Sequence, residues 1–224
     1  MDGKGAYASD EIVNTFFKLL SQRTIDLSTE NPTRTWPRCQ YMSSLFMEKV
    51  MDLSKSEQPG RGKWPTYFTG KNGITRWRPE VSPLEFDFIF FPINVDSNHW
   101  ILAVVAVSSE EVRIYDPLPG GEYMDYGRTI LRYLTEQDAD VMFKKWKIVV
   151  CQSPSQTNLF DCGQFICLFA YFLSLGLPLP EATITTANGF SWRDTMACYL
   201  VDCRITVPTE LSSMIASLVP PSSR

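Results

Sequence analysis

Histidine is nearly absent: His99 is the only one in 224 residues. Any imidazole base in this protein is therefore His99, and a histidine-rich metal centre is excluded. The six cysteines, Cys39, Cys151, Cys162, Cys167, Cys198 and Cys203, are scattered and include no close Cys-x-x-Cys pair. That removes the usual zinc spacing and gives no disulfide framework, so no metal or cofactor is expected. Surplus charge is also missing. The net charge of −4 is too small and of the wrong sign for a nucleic-acid binder. No apolar run is long enough to span a membrane, and Met1-Asp2-Gly3-Lys4-Gly5 does not begin a secretory signal. An intracellular site of action, in nucleus or cytoplasm or both, is the expectation. Repeats and low-complexity tracts are lacking too.

The chain does have ordinary globular composition, 44% apolar and 21% charged residues. It is expected to form one domain over 1–224, with 220–224 a frayed tail, and to act as a monomer. Ser9 to Ser21 predicts an amphipathic helix with Ile12, Phe16 and Leu19 inward, helped by Val13 and Phe17, followed by a polar linker from Thr24 to Pro37. Gln40 to Leu53 predicts a second helix with Met42, Leu45, Phe46 and Val50 inward. Lys55 to Lys63 is a surface loop. Phe86 to Asn94 is apolar enough for a central strand. Ile101–Val107 and Glu111–Asp116 predict a hairpin turned at Ser108-Ser109-Glu110. A helix over Tyr123–Asp138, a strand over Trp146–Cys151, and helices over Ser191–Arg204 and Glu210–Val219 complete an α+β order with a mostly antiparallel sheet.

Chemistry concentrates in Gln156-Thr157-Asn158-Leu159-Phe160-Asp161-Cys162-Gly163. Polar residues run up to Cys162, and an apolar run from Phe165 to Leu173 follows. The switch predicts a loop feeding a buried helix with Cys162 at its N-terminus. Unsatisfied N–H groups and the helix dipole there favour a thiolate. Gly163 leaves room for a substrate backbone, and the Gln156 amide is a donor for a developing oxyanion, with Gln152 its local competitor. A buried structural thiol is the alternative. His99 ends a polar turn where the apolar strand begins, and Asp116 ends the next strand before Pro117. A hairpin makes the two neighbours, so Asp116 can fix the tautomer of His99. Glu110 and Asp96 are the other nearby carboxylates.

The order His, Asp, Gln, Cys resembles the SUMO-specific (Ulp/sentrin-specific) cysteine proteases, a family with a deneddylating branch. Tyr7-Ala8-Ser9-Asp10-Glu11-Ile12-Val13-Asn14 resembles that family's W-L-N-D-E-V-I-N helix, and Tyr41-Met42-Ser43-Ser44-Leu45-Phe46 its F-N-T-F-F helix. Thr75-Arg76-Trp77 matches its R-W element, Pro92-Ile93 with His99-Trp100 its P-I-H and H-W, Ile114-Tyr115-Asp116 its Y-Y-D, and Gln156 with Asp161-Cys162-Gly163 its Q and D-C-G. Two positions depart: Tyr7 stands for Trp, and Pro117 for the Ser after the Asp.

The resemblance implies a papain-like fold, a helical lobe packed against the sheet. It implies His99 as base, Asp116 as its orienter, Gln156 as oxyanion donor and Cys162 as nucleophile. It places Trp100, Tyr7, Asp10 and Gly163 against substrate, with Trp100 and Tyr7 forming a narrow tunnel for glycine. The implied activity is a thiol isopeptidase or processing protease acting after the Gly-Gly terminus of a ubiquitin-like protein. SUMO is the first expectation, with NEDD8 or ubiquitin as alternatives. An acetyltransferase of the effector type and an inactive binding module are the readings from other classes.

Overall fold

The computed structural model describes residues 7–30, 32, 35–55, 81–118, 120, 121, 123–179 and 192–205. The expected loop after Lys55, the Thr75-Arg76-Trp77 element, the helix over Glu210–Val219 and the tail lie outside these residues. Helix α1 covers Asp10–Glu30, strand β1 Cys39–Tyr41, α2 Ser44–Lys55, β2 Phe88–Val95, β3 His99–Ala106 and β4 Glu111–Tyr115. Helix α3 covers Met124–Gln137, β5 Lys147–Cys151, α4 Cys162–Ser174 and α5 Trp192–Val201, with 3-10 turns at Pro83–Glu85 and Ala139–Phe143.

The five strands form one sheet in sequence order. The α+β expectation holds. The antiparallel pairings are β2–β3 and β3–β4, whereas both outer pairs, β1–β2 and β4–β5, are parallel. Parallel neighbours need a crossover rather than a tight turn. Helix α2 lies in the first crossover and α3 in the second, which is where the sequence places its two middle helices.

Alternation along the central strands sends side chains to both sheet faces. Phe90, Trp100, Leu102, Val104 and Tyr115 pack with α1 and α4. Ile89, Phe91, Ile101, Ala103, Val105 and Ile114 pack with α2 and α3. Burial on both faces explains why β2 and β3 read as unbroken apolar runs. Helix α4 is buried around its whole circumference, every residue except Phe165. Removing each large apolar side chain there from water contributes about 1.5–3 kcal/mol. The helix that carries Cys162 is thus also the central helix of that layer.

Two expectations need correction. Helix α1 continues through the expected linker to Glu30. The hydroxyls of Thr24, Ser28 and Thr29 donate to the carbonyls of Leu20, Thr24 and Ile25, one turn back, so these polar residues satisfy themselves inside a helix. Leu27 adds a buried contact. The inner stripe is Val13, Phe16, Phe17 and Leu20, leaving Ile12 exposed. The second helix starts at Ser44 rather than Gln40, because Cys39–Tyr41 pairs with β2. Ser44 N–H donates to Asn14 Oδ1 at 2.9 Å, which sets that helix start. Phe46, Met47 and Val50 face inward and Leu45 is exposed.

Candidate active site

The β2–β3 hairpin places His99. Asp96 and Ser97 adopt left-handed φ of 50° and 59°, and Asn98 N–H donates to Val95 O at 3.1 Å. This tight turn makes His99 the first residue of β3, opposite Val95. The next hairpin places Asp116 just past the end of β4. Register pairs Leu102 with Tyr115, so Asp116 falls diagonally across from His99 rather than directly opposite. Diagonal neighbours on one side of a ladder are within reach of long side chains. His99 Nε2 lies 2.7 Å from Asp116 Oδ1. Asp116 is buried, and its Oδ1 also accepts from Leu118 N–H at 2.8 Å. The other carboxylates lie elsewhere: Asp96 is exposed in the β2–β3 turn, and Glu110, at the far end of the β3–β4 hairpin, pairs with Lys144.

Cys162 is the first residue of α4 and is 1% exposed. Asn158 shapes the approach to it. Its Oδ1 accepts from the N–H groups of Phe160 and Asp161, both at 3.0 Å, and its Nδ2 donates to Asp161 Oδ2 at 2.6 Å. Asp161 also pairs with Arg193 of α5, whose guanidinium lies over the Phe160 ring. The loop therefore enters the helix in one conformation, with Asp161 O accepting from Phe165 N–H at 3.0 Å. Cys162 is close enough for its charge to act on the imidazole. Since Nε2 faces Asp116, Nδ1 is the nitrogen left for sulfur. Burial works against a charged His99, but the bond to Asp116 and the negative charge of Asp116 and Cys162 outweigh it and push the imidazole up to about 9.

Gln156 is buried. Its N–H donates to Pro117 O at 2.8 Å, and Ser153 Oγ donates to Asp116 O at 2.9 Å. These bonds tie its loop to the strand end that carries Asp116. Its Nε2 donates to Asn158 O at 2.6 Å, which leaves the second amide hydrogen. The competitor Gln152 is exposed and lines a separate cavity of about 480 Å³ with Arg113, Tyr115 and Cys151.

The residues expected against substrate divide. Trp100 is 2% exposed, and its indole N–H donates to Ala8 O at 2.9 Å. Tyr7 is 56% exposed, one residue before that carbonyl. Gly163 does not leave an open space. A Cβ there would sit 2.6 Å from Ala8 Cβ and 3.1 Å from Trp100 Cδ1, so its missing side chain admits these two residues of the same chain. Asp10 accepts from Ser44 Oγ at 2.6 Å and lines a cavity of about 330 Å³ with Glu48, Asp52 and Asp96. Three contributors were missed by sequence reading. Asn158 carried a signal, an Asx turn three residues before Asp161. Arg193 and Tyr123, whose ring centroid lies 6.5 Å from that of His99, carried none.

No helix among the described residues is long and apolar enough to cross a membrane. Comparison with known proteins gives a consistent picture. The family described as Ulp1 protease family, C-terminal catalytic domain, matches residues 7–202. Ubiquitin-like-specific protease 1 of Saccharomyces cerevisiae is 22% identical over 173 residues, 72% of this chain and 28% of that protein. Ubiquitin-like-specific protease ESD4 of Arabidopsis thaliana is 26% identical over 180 residues, 78% of this chain and 34% of that protein. The chain thus spans about a third of the length of these relatives. A solved C-terminal Ulp1 protease domain in complex with Smt3, the yeast ortholog of SUMO, superposes with a TM-score of 0.64 at 19% identity, covering 88% of this chain and 77% of that one.

Proposed function

The chain belongs to the Ulp1 protease family, and from that premise we propose that it is a thiol protease of ubiquitin-like conjugates, cleaving after the terminal Gly-Gly of a ubiquitin-like protein, SUMO foremost. The observation that carries this reading is the juxtaposition of His99 with Asp116 at 2.7 Å and with Cys162 at the first turn of α4. The relatives named above are ubiquitin-like-specific proteases, and the Smt3 complex is of a domain with this fold. Residues 7–202 act in this reading as one catalytic domain, monomeric and needing no cofactor. SUMO as substrate sets its work inside the cell, in nucleus or cytoplasm.

The mechanism follows from the geometry. Asp116 holds the imidazole by Nε2 and turns Nδ1 towards the thiol. A His99 raised to about 9 stays protonated at neutral pH and stabilises the Cys162 thiolate beside it. The helix N-terminus adds its dipole. The thiolate attacks the carbonyl carbon of the last glycine, and the carbonyl oxygen becomes an oxyanion. The free Gln156 amide hydrogen and the backbone N–H groups that open α4 are the donors for it. His99 passes its proton to the leaving amine, a thioester to Cys162 remains, and water activated by the now neutral imidazole hydrolyses it. Trp100 and Tyr7 flank the tail, and Asp10 meets the body of the ubiquitin-like protein.

The experiment is a panel of C-terminal propargylamide probes of SUMO, NEDD8 and ubiquitin. SUMO should label Cys162 fastest. Faster labelling by NEDD8 or ubiquitin would move the substrate within the fold, and no labelling by any of the three would refute the protease reading.

A further inference from the structure

We propose that Tyr123 is a positioning residue for the histidine: its ring walls one side of His99 and its hydroxyl serves the second carboxylate oxygen of Asp116. The proposal rests on the assignment of His99 and Asp116 as base and orienter. Its starting point is an imbalance at Asp116. Oδ1 takes both His99 Nε2 and Leu118 N–H, while Oδ2 is buried with no hydrogen-bond partner among the described residues. A buried carboxylate oxygen without a donor is costly and rare.

Tyr123 is the residue placed to supply one. Its ring centroid is 6.5 Å from that of the imidazole with the planes tilted by 35°, within the range of favourable ring pairs. The chain is built to bring it there. Gly120 has a φ of +135°, a conformation that side chains rarely adopt. At Gly121 a Cβ would lie 2.0 Å from Tyr123 Cζ and 2.1 Å from its hydroxyl oxygen. Only glycine at 121 lets the ring fold back over its own backbone towards the hairpin end. The ionisation of the phenol agrees. Burial first, then the nearby charge of Asp116, push Tyr123 up to about 12, with Tyr126 and Asp96 adding to the shift. The phenol therefore stays a donor at every pH where the protease would work, and Asp116 Oδ2 is the acceptor we assign to it. The bond would hold the carboxylate in plane with the imidazole, while the ring keeps water off the His99–Asp116 contact.

The single histidine makes the test direct, because the imidazole resonances in an NMR titration belong to His99 alone. Tyr123→Phe keeps the ring and removes the hydroxyl. It should lower the His99 pKa by roughly 0.5–1 pH unit and kcat by roughly 3- to 10-fold, in line with loss of one ordinary hydrogen bond, with KM little changed. Gly121→Ala leaves Tyr123 in the chain but takes the space of its ring, and should shift His99 in the same direction. Gly121 is exposed and Tyr123 half-buried at the edge of the core, so neither substitution replaces a fully buried residue. An unchanged His99 titration in both would overturn the proposal whatever the activity did, since mere packing by Tyr123 would leave the titration where it was. If the wild type labels with no ubiquitin-like probe, the functional reading fails, and the titration still decides the role of Tyr123.

Discussion

Gly163→Ala adds one methyl group at the point where three parts of the chain meet. Its Cβ would lie 2.6 Å from Ala8 Cβ, 3.1 Å from Trp100 Cδ1 and 3.4 Å from Trp100 Nε1. Neither neighbour has free space, since Ala8 is 4% and Trp100 2% exposed. The bond from the indole N–H to Ala8 O at 2.9 Å further couples them, so neither yields alone. Overpacking of this kind costs about 1–3 kcal/mol. In a chain of this size each kcal/mol lowers Tm by roughly 2–4 °C. The softer neighbour is Ala8, which precedes α1 and is outside any helix or strand. Its retreat breaks the indole bond and loosens the cover over Cys162. Gly163→Ala should therefore lower Tm, speed iodoacetamide alkylation of Cys162 and reduce kcat/KM on a SUMO substrate. Ala8→Gly in the same chain removes the opposing methyl and should restore much of all three, a coupling that a double-mutant cycle measures. If Gly163→Ala matches the wild type in both Tm and alkylation rate, the close approach of Ala8 and Trp100 to Gly163 is wrong.

Cys162→Ala should abolish hydrolysis while leaving Tm and SUMO binding in place, whereas Cys167→Ser, at a fully buried site, should cost stability before chemistry; residual turnover above the uncatalysed background in Cys162→Ala refutes the nucleophile. With His99 raised to about 9 from its ordinary 6.5, the stability its charge contributes is whole below about pH 6.5 and lost as pH rises through 9, so Tm and Cys162 thiolate reactivity should both respond near pH 9, a limb that belongs to the Cys162–His99 pair. Asp116→Asn should pull that limb down towards the ordinary value, and a limb that stays near 9 would show that Asp116 is not its cause. Gln156→Ala should lower kcat rather than raise KM, by an amount comparable to the ~2.7–4 kcal/mol of one oxyanion donor. An unchanged kcat beside a large loss in Gln152→Ala would transfer the role.

The proposed site residues are legible as candidates because each sits at a change of pattern. His99 stands where a polar turn meets an apolar run, Asp116 where a strand meets proline, and Cys162 where a polar loop meets a buried helix. Such switches are local, and a sequence records them locally. Features set by distant partners were less legible. Nothing near Cys39–Tyr41 announces a strand, because three residues become one only by pairing with β2 across 49 positions of register difference, Gln40 lying beside Ile89 among them. The polar half of α1 looks like a linker until its hydroxyls find the carbonyls one turn back. Gly163 suggested room for a substrate, and only tertiary packing shows Ala8 and Trp100 in that room. Tyr123 looked like the first residue of a helix, and its ring contact with His99 depends on how the two preceding glycines turn.

The division of the site between a hairpin and a later helix also orders its assembly. The β3–β4 hairpin closes through a short turn, so His99 and Asp116 can meet at the low entropy cost of a small loop. Cys162 joins them only after the α3 crossover has been laid down, β5 has paired with β4 and α4 has docked on the opposite sheet face. Contacts of that range form slowly. Refolding is therefore expected to bring the proposed base and its carboxylate together before the thiol arrives, an order that time-resolved hydrogen exchange would check. Until α4 docks, Cys162 lacks both the helix N-terminus and the His99 partner that the proposed mechanism gives it.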